Sequence, residues 1–157
     1  MDILDDSIIK LWKSLNECQV KYIMIGGFAV NMNGYSRFTQ DLDILIQDNL
    51  ENRKLFRNAL FQAGIGDFEL IETMDIIPGM TSIMLDGGME LDIFTVLPGY
   101  AISDFEELHS ESITQKIEGI PVCFLHYNQL IKSKQITNRP KDIIDVQELL
   151  KIKNSSI

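Results

Sequence analysis

The chain has 157 residues, of which 45% are hydrophobic and 24% charged, and its net charge is −9. These values predict one globular domain over residues 1–157, and the acidic charge excludes a protein that coats nucleic acid through a general positive field. The longest apolar runs fall short of the roughly 20 residues that cross a bilayer, and the start, MDILDDSIIK, carries acids where a secretory signal carries bases. We therefore expect a cytoplasmic protein without a membrane partner.

The first half of the chain predicts a helix followed by a strand, a short helix and a second strand. Residues 5–17 repeat apolar side chains at helical spacing, and 20–25 is a short β-branched run that ends at Gly26-Gly27. A brief helix over 28–33 and a strand over 41–46 (DLDILI) follow. The helical face of the first segment consists of Ile8, Leu11, Trp12 and Leu15.

The second half predicts a helix, two β-hairpins and a helical hairpin. The helix covers 52–63, with Arg53, Lys54 and Arg57 on the face opposite its apolar residues. The hairpins turn near Asp86-Gly87-Gly88 and near Glu118-Gly119. The C-terminal helices cover 126–135 and 140–151, with His126 as an N-cap or first-turn residue, so that an α+β core over about 20–125 with a mixed sheet precedes a helical hairpin over about 126–152.

Charge is distributed unevenly between these two regions. Residues 126–157 contain six bases and three acids, a net of +3, so the preceding residues carry −12. A solvated basic helix is the simpler explanation, and the alternative is a chain that holds cations on one side and an anionic ligand on the other. Cys18 and Cys123 lie among apolar neighbours and are expected to be buried free thiols.

Three aspartates lie in strands that are otherwise apolar. Side chains two residues apart in a strand point the same way, so Asp41 and Asp43 share one face, and Asp92 is a lone short acid in the later strand MELDIF. If the two strands are neighbours, the three carboxylates converge. Their repulsion would oppose folding, and a divalent cation such as Mg²⁺ would remove that penalty, whereas a solvated sheet face is the structural alternative.

The glycine pair indicates a different kind of ligand. A strand that runs into Gly26-Gly27 and then a helix presents backbone N–H groups at the helix N-terminus, which suits a phosphate. An ordinary turn would explain the glycines alone, but their combination with the D-x-D strand strengthens the phosphate interpretation.

The order of these motifs resembles the nucleotidyltransferases of the DNA polymerase β superfamily. More narrowly, GGFAVNMNGYSRFTQDLDI and the later LIKSKQITNRPKDIIDVQEL are similar to the small bacterial branch that includes minimal nucleotidyltransferases and relatives of the AbiEii toxins. The resemblance covers roughly residues 20–150 and implies the nucleotidyltransferase fold. Many relatives carry a His in the helix before Gly34, where this chain has Asn31 and Asn33.

The resemblance also implies roles for individual residues. Asp41, Asp43 and Asp92 would bind a pair of Mg²⁺ ions at the triphosphate of an NTP, and Asp92 would help to deprotonate the acceptor. Gly26 and Gly27 would cradle the β and γ phosphates.

Arg37 and Lys134 each have two interpretations, and Thr39 is included because it belongs to the same motif as Arg37. Arg37 and Thr39 belong to an R-x-T-x-D-x-D arrangement, and Arg37 either neutralises phosphate or pairs with a local carboxylate. Lys134, in a basic stretch with Arg139 and Lys141, either reaches the nucleotide or pairs with Asp142 or Asp145 and joins the two C-terminal helices.

Two functions from different classes follow. The first is an Mg²⁺-dependent nucleotidyltransferase that moves an NMP, with AMP as the first candidate, onto a small molecule, a protein or an RNA end. The second is a regulatory, antitoxin-like protein that binds a partner protein encoded nearby.

Overall fold

The structure, a computed structural model, describes residues 5–76 and 79–156. Residues 1–4, part of the acidic N-terminal sequence considered above, lie outside the described residues. The helices are α1 (Asp6–Glu17), α2 (Gly26–Met32), α3 (Leu50–Gln62), α4 (Phe105–Glu111), α5 (Tyr127–Thr137) and α6 (Pro140–Ser155). The strands are β1 (Tyr22–Met24), β2 (Asp41–Ile46), β3 (Met80–Met84), β4 (Glu90–Phe94), β5 (Ile113–Ile117) and β6 (Ile120–Phe124).

The strands form a mixed sheet in the order β3-β4-β2-β1-β6-β5. The two hairpins, β3–β4 and β5–β6, are antiparallel as predicted, and β1 pairs antiparallel with β2. The central pairings of β2 with β4 and of β1 with β6 are parallel. The prediction of an α+β fold with a mixed sheet and a C-terminal helical hairpin is confirmed.

Each face of the sheet is covered by helices. The apolar face of α1 packs with α3 and the inward side chains of β2 and β4 into one core, where Trp12 is fully buried 5.2 Å from the Phe28 ring. On the other face, Leu45 of β2 packs with residues from α2, α4, α5 and α6. Since Asp41 and Asp43 alternate with Leu42 and Ile44, they share the face of Leu45, beneath the C-terminal helices.

Local capping explains several helix boundaries. The Asp5 side chain accepts a hydrogen bond from the Ser7 backbone N–H at 2.9 Å, and the Asn49 side chain accepts from the Asn52 N–H at 2.8 Å. The His126 side chain caps α5 by accepting from the Asn128 N–H at 3.2 Å. The structural role expected for His126 is therefore confirmed.

The structure corrects several sequence predictions. Helix α2 begins at Gly26 instead of residue 28, α3 begins at Leu50 because Asn49 caps it, and α4 has no counterpart in the predictions. Helix α6 continues to Ser155, four residues beyond its predicted end.

The largest correction in side-chain placement concerns Arg53, which was expected on the face of α3 opposite its apolar residues. It is 8% exposed and donates to Asp48 Oδ1 at 2.7 Å and to the carbonyls of Ile71 and Met74 at 3.0 and 2.6 Å. The segment after α3 folds back over this face, so a long cationic side chain lies buried with its hydrogen bonds satisfied.

Two further expectations can be compared with the structure. Cys18 and Cys123 are free thiols, each partly buried. Within residues 5–76 and 79–156, the helices are all too short or too polar to cross a membrane.

Candidate active site

The parallel pairing of β2 and β4 brings the aspartates together. Asp43 is directly opposite Asp92 in the register, and Asp41 is opposite Glu90. On the far side of β4, Ser82 of β3 pairs with Asp92, and its hydroxyl donates to Asp92 Oδ1 at 2.6 Å. The condition on which convergence depended, that the two strands be neighbours, is met.

Asp43 lies in an environment that opposes its ionisation. Burial, followed by the negative charges of Asp92 and Asp41, raises the pKa of Asp43 from 3.8 to about 6. A hydrogen bond from the Gly27 backbone and the positive charge of Lys134 act in the opposite direction and offset part of this effect. The fold therefore holds a carboxylate that ionises at a cost, which is typical of a site that binds a cation.

The glycine pair is required by close packing against these strands. A Cβ on Gly26 would lie 1.8 Å from Asp43 Oδ2, and the residue has a φ of +60°. A Cβ on Gly27 would lie 2.4 Å from Thr39 Oγ1 and 3.2 Å from Arg37 Nη1. Only a backbone without side chains leaves the start of α2 in contact with Asp43 and with the loop before β2.

That loop is itself fixed by polar contacts. Thr39 is 3% exposed, and its hydroxyl donates to the Asp41 carbonyl at 3.2 Å. The Arg37 backbone N–H donates to Asn31 Oδ1 at 2.9 Å, while Asn33 Nδ2 donates to the carbonyls of Ala29 and Leu125. Asn31 thus holds the loop against helix α2, and Asn33 holds the end of α2 to the segment after β6.

Arg37 and Lys134 both form ion pairs, which is one of the two interpretations considered for each. Arg37 makes a bidentate pair with Asp145, at 2.6 and 2.8 Å, so its partner comes from the far end of the chain instead of the local loop. Lys134 Nζ lies 2.9 Å from Asp142 Oδ1 and 2.8 Å from Asp145 Oδ2, which joins α5 to α6 as expected. Arg139 Nε also donates to Asp142, at 2.7 Å.

The aspartates, the glycine pair and the cations Arg37, Lys134 and Arg139 line one open cleft of about 510 Å³. Its polar walls include every residue that the sequence indicated for a site: Gly26, Gly27, Arg37, Thr39, Asp41, Asp43, Asp92 and Lys134. The apolar part of the lining was not predicted and comprises Ile25, Met80, Phe94, Leu97, Pro98, Leu125 and Leu130. The volume of the cleft is within the usual range for small-molecule sites.

Of three residues that the sequence analysis missed, one had a partial signal in the sequence and two had none. Ser82 could have been found by extending the Asp86-Gly87 hairpin backwards, since that pairing sets it opposite Asp92. Leu97 and Leu125 carry no such signal, because they reach the cleft only through the packing of the segments after β4 and β6.

Asp43 and Asp92 form a pair with Asp41 as a nearby third acid, and the three carboxylates do not surround a metal site on all sides. Among the described residues, no three His, Cys, Asp or Glu side chains meet closely enough to form a metal-ligand cluster. Asp43 and Asp92 nevertheless fit a divalent cation, because the negative charge of Asp92 opposes the ionisation of Asp43 and a cation would remove that repulsion. Mg²⁺ often binds through one or two carboxylates plus substrate phosphates, so such a pair suffices.

A D-x-D strand paired with a second acidic strand, next to a strand–Gly-Gly–helix turn, is the arrangement expected of the nucleotidyltransferase fold. The chain has this fold. It is similar to the crystal structure of an antigenic nucleotidyltransferase-like protein from Paracoccidioides brasiliensis, with a TM-score of 0.57 and 17% identity over 94% of this chain and 75% of that one.

The chain is also similar to ANT(2")-Ia, solved in complex with adenylyl-2"-tobramycin, with a TM-score of 0.53 and 15% identity over 95% of this chain and 88% of that one. No family model and no curated protein matches the sequence. These likenesses establish the fold.

Proposed function

We propose that the protein is an Mg²⁺-dependent nucleotidyltransferase that moves an NMP, with AMP as the first candidate, from an NTP to a hydroxyl-type acceptor. The observation that carries this proposal is the in-register pair Asp43 and Asp92, which faces the Gly26-Gly27 turn and a cationic wall across one cleft. In the transfer, an acceptor oxygen bonds to the α-phosphorus, the bond to the β-phosphate oxygen breaks, and pyrophosphate leaves.

The two sides of the cleft would have different tasks. The backbone at Gly26 and Gly27, with Lys134 and Arg37, would bind and orient the triphosphate by charge and hydrogen bonding. Asp92, oriented by the Ser82 hydroxyl, would accept the acceptor's proton. The apolar residues of the cleft lining would exclude water from the nucleoside.

Mg²⁺ would be held by the pair Asp43 and Asp92, with Asp41 as the nearby third acid, and when bound it supplies charge neutralisation of the phosphate oxygens. The fold supports this assignment because it leaves Asp43 with an unfavourable charge that a cation would compensate.

The first experiment measures pyrophosphate release from each NTP with MgCl₂ and a panel of hydroxyl acceptors. Asp92→Asn should lower the rate by about 10²-fold or more, because it removes the proton acceptor and a metal ligand. Ser82→Ala should cause a smaller loss, since the carboxylate remains. Glu118→Gln is the control for loss of one negative charge, because Glu118 is exposed in the β5–β6 turn and lies outside the cleft lining.

Full activity of Asp92→Asn would contradict the proposed role. Absence of both NTP binding and pyrophosphate release in the wild type would contradict the function itself. The closer likeness to the minimal nucleotidyltransferases and AbiEii relatives stays a prediction from sequence.

A further inference from the structure

Asp145 of α6 is a buried carboxylate that binds two cations from other parts of the chain. It is 0% exposed and accepts two hydrogen bonds from Arg37, at 2.6 Å from Nε and 2.8 Å from Nη2. Its Oδ2 also lies 2.8 Å from Lys134 Nζ. Asp145 therefore ties the loop before β2 and helix α5 to helix α6.

These contacts fix the direction of each cation. The fork with Asp145 holds the guanidinium of Arg37 in one plane, and its remaining nitrogen, Nη1, donates to the Phe38 carbonyl at 3.0 Å. Lys134 is held between Asp142 and Asp145. Counting donors among the described residues, Arg37 keeps two N–H groups and Lys134 one for an anionic ligand in the cleft.

We propose that Asp145 is a positioning residue, which orients Arg37 and Lys134 so that their free N–H groups meet the terminal phosphates of an NTP. This inference rests on the proposed function and deepens it, because it assigns the cationic wall to the triphosphate and its geometry to a residue that binds no substrate. Asp145 remains ionised: burial raises its pKa, but hydrogen bonds from Arg37 and Lys134 outweigh burial and lower it.

Charge alone and positioning predict opposite effects of an Asp145 substitution on triphosphate binding. Asp145→Asn removes one negative charge beside the cleft, so a wall acting only through its electric field would bind a triphosphate more tightly. If Asp145 positions the cations, the same variant loses an acceptor of the Arg37 fork and binds a triphosphate more weakly.

The test measures Mg²⁺-ATP and AMP affinity of the full chain by calorimetry. We expect Asp145→Asn to weaken ATP binding about tenfold, the scale of one charged hydrogen bond, and to leave AMP binding within about twofold. Glu148→Gln removes the same charge from α6, where its partner is Lys151, and should leave both affinities unchanged. ATP affinity that stays equal or increases in Asp145→Asn would overturn the proposal, as would an equal loss for ATP and AMP.

If Asp145→Asn does not fold, a comparison of two other variants tests the same proposal. Arg37→Gln and the double variant Arg37→Gln/Asp145→Asn both remove the guanidinium, so neither leaves a half-buried Arg37 without its partner. We expect the double variant to bind ATP within about threefold of Arg37→Gln, since Asp145 acts largely through Arg37. A further tenfold loss would overturn the proposal. A wild type that binds no ATP would instead refute the proposed function, and this role with it.

Discussion

Asp43→Asn is expected to stabilise the metal-free protein at neutral pH while it abolishes transfer. The fold raises the pKa of Asp43 from 3.8 to about 6, chiefly by burial and by the charges of Asp92 and Asp41. A difference of about two pKa units corresponds to about 3 kcal/mol, and partial exposure of the side chain reduces this to about 2 kcal/mol. Asn keeps a carbonyl that can accept the Gly27 hydrogen bond and carries no charge.

The sign of the pH dependence follows from the raised pKa. Between about pH 4 and pH 6 the folded protein retains a proton on Asp43 that the unfolded chain has lost, so the free energy of unfolding falls as the pH rises. The contribution of protonated Asp43 to the free energy of unfolding is fully present below this pH window and lost above it. Asp43→Asn lacks this group, so its stability should decrease less over the same range.

The assay is urea unfolding in EDTA at pH 5 and pH 7.5, followed by the same measurement with MgCl₂. The variant should exceed the wild type by about 2 kcal/mol at pH 7.5 and by about 1 kcal/mol at pH 5, which lies midway between the unfolded and folded pKa values. MgCl₂ should stabilise the wild type more than the variant. Glu118→Gln, an exposed acid in the β5–β6 turn, is the control for loss of one charge. A variant no more stable than the wild type at pH 7.5 would refute the reasoning.

Two further predictions concern stability. Gly26→Ala should cost about 3 kcal/mol or more, because its Cβ would overlap Asp43 Oδ2, whereas Gly64→Ala, at a φ of +77° in open space, should cost only about 1 kcal/mol; equal losses in thermal unfolding would contradict the packing argument. Arg53→Ala should cost about 3 kcal/mol by leaving Asp48 and two carbonyls without a donor, and exposed Lys54→Ala should change stability by about 0.5 kcal/mol at most. A small loss for Arg53→Ala in urea unfolding would show that solvent replaces those hydrogen bonds.

The faces of the strands and the nature of the turns could be predicted from the sequence. The two-residue period of a strand sets Asp41 and Asp43 on one side, and the bounds predicted for β2 are confirmed. Helix α4 was missed because its seven residues carry few apolar positions, and its burial is decided by Phe105 and Leu108 docking on the sheet. Local pattern is informative where an element is long and periodic.

Partners far apart in sequence were decided by the tertiary structure. The acidic strands themselves are readable, but the register that sets Asp43 opposite Asp92 depends on a parallel pairing. A pair with a local carboxylate was one of the two interpretations of Arg37, and its partner Asp145 is 108 residues away.

The sequence by itself determined the mixed α+β fold and indicated the aspartates and glycines that line the cleft, because side-chain periodicity and glycine geometry are local properties. Only the tertiary structure decided how Arg37 and Lys134 are held and how strongly Asp43 resists ionisation. Ion pairing and burial depend on the distances between elements that packing brings together, and the order of residues along the chain does not contain those distances.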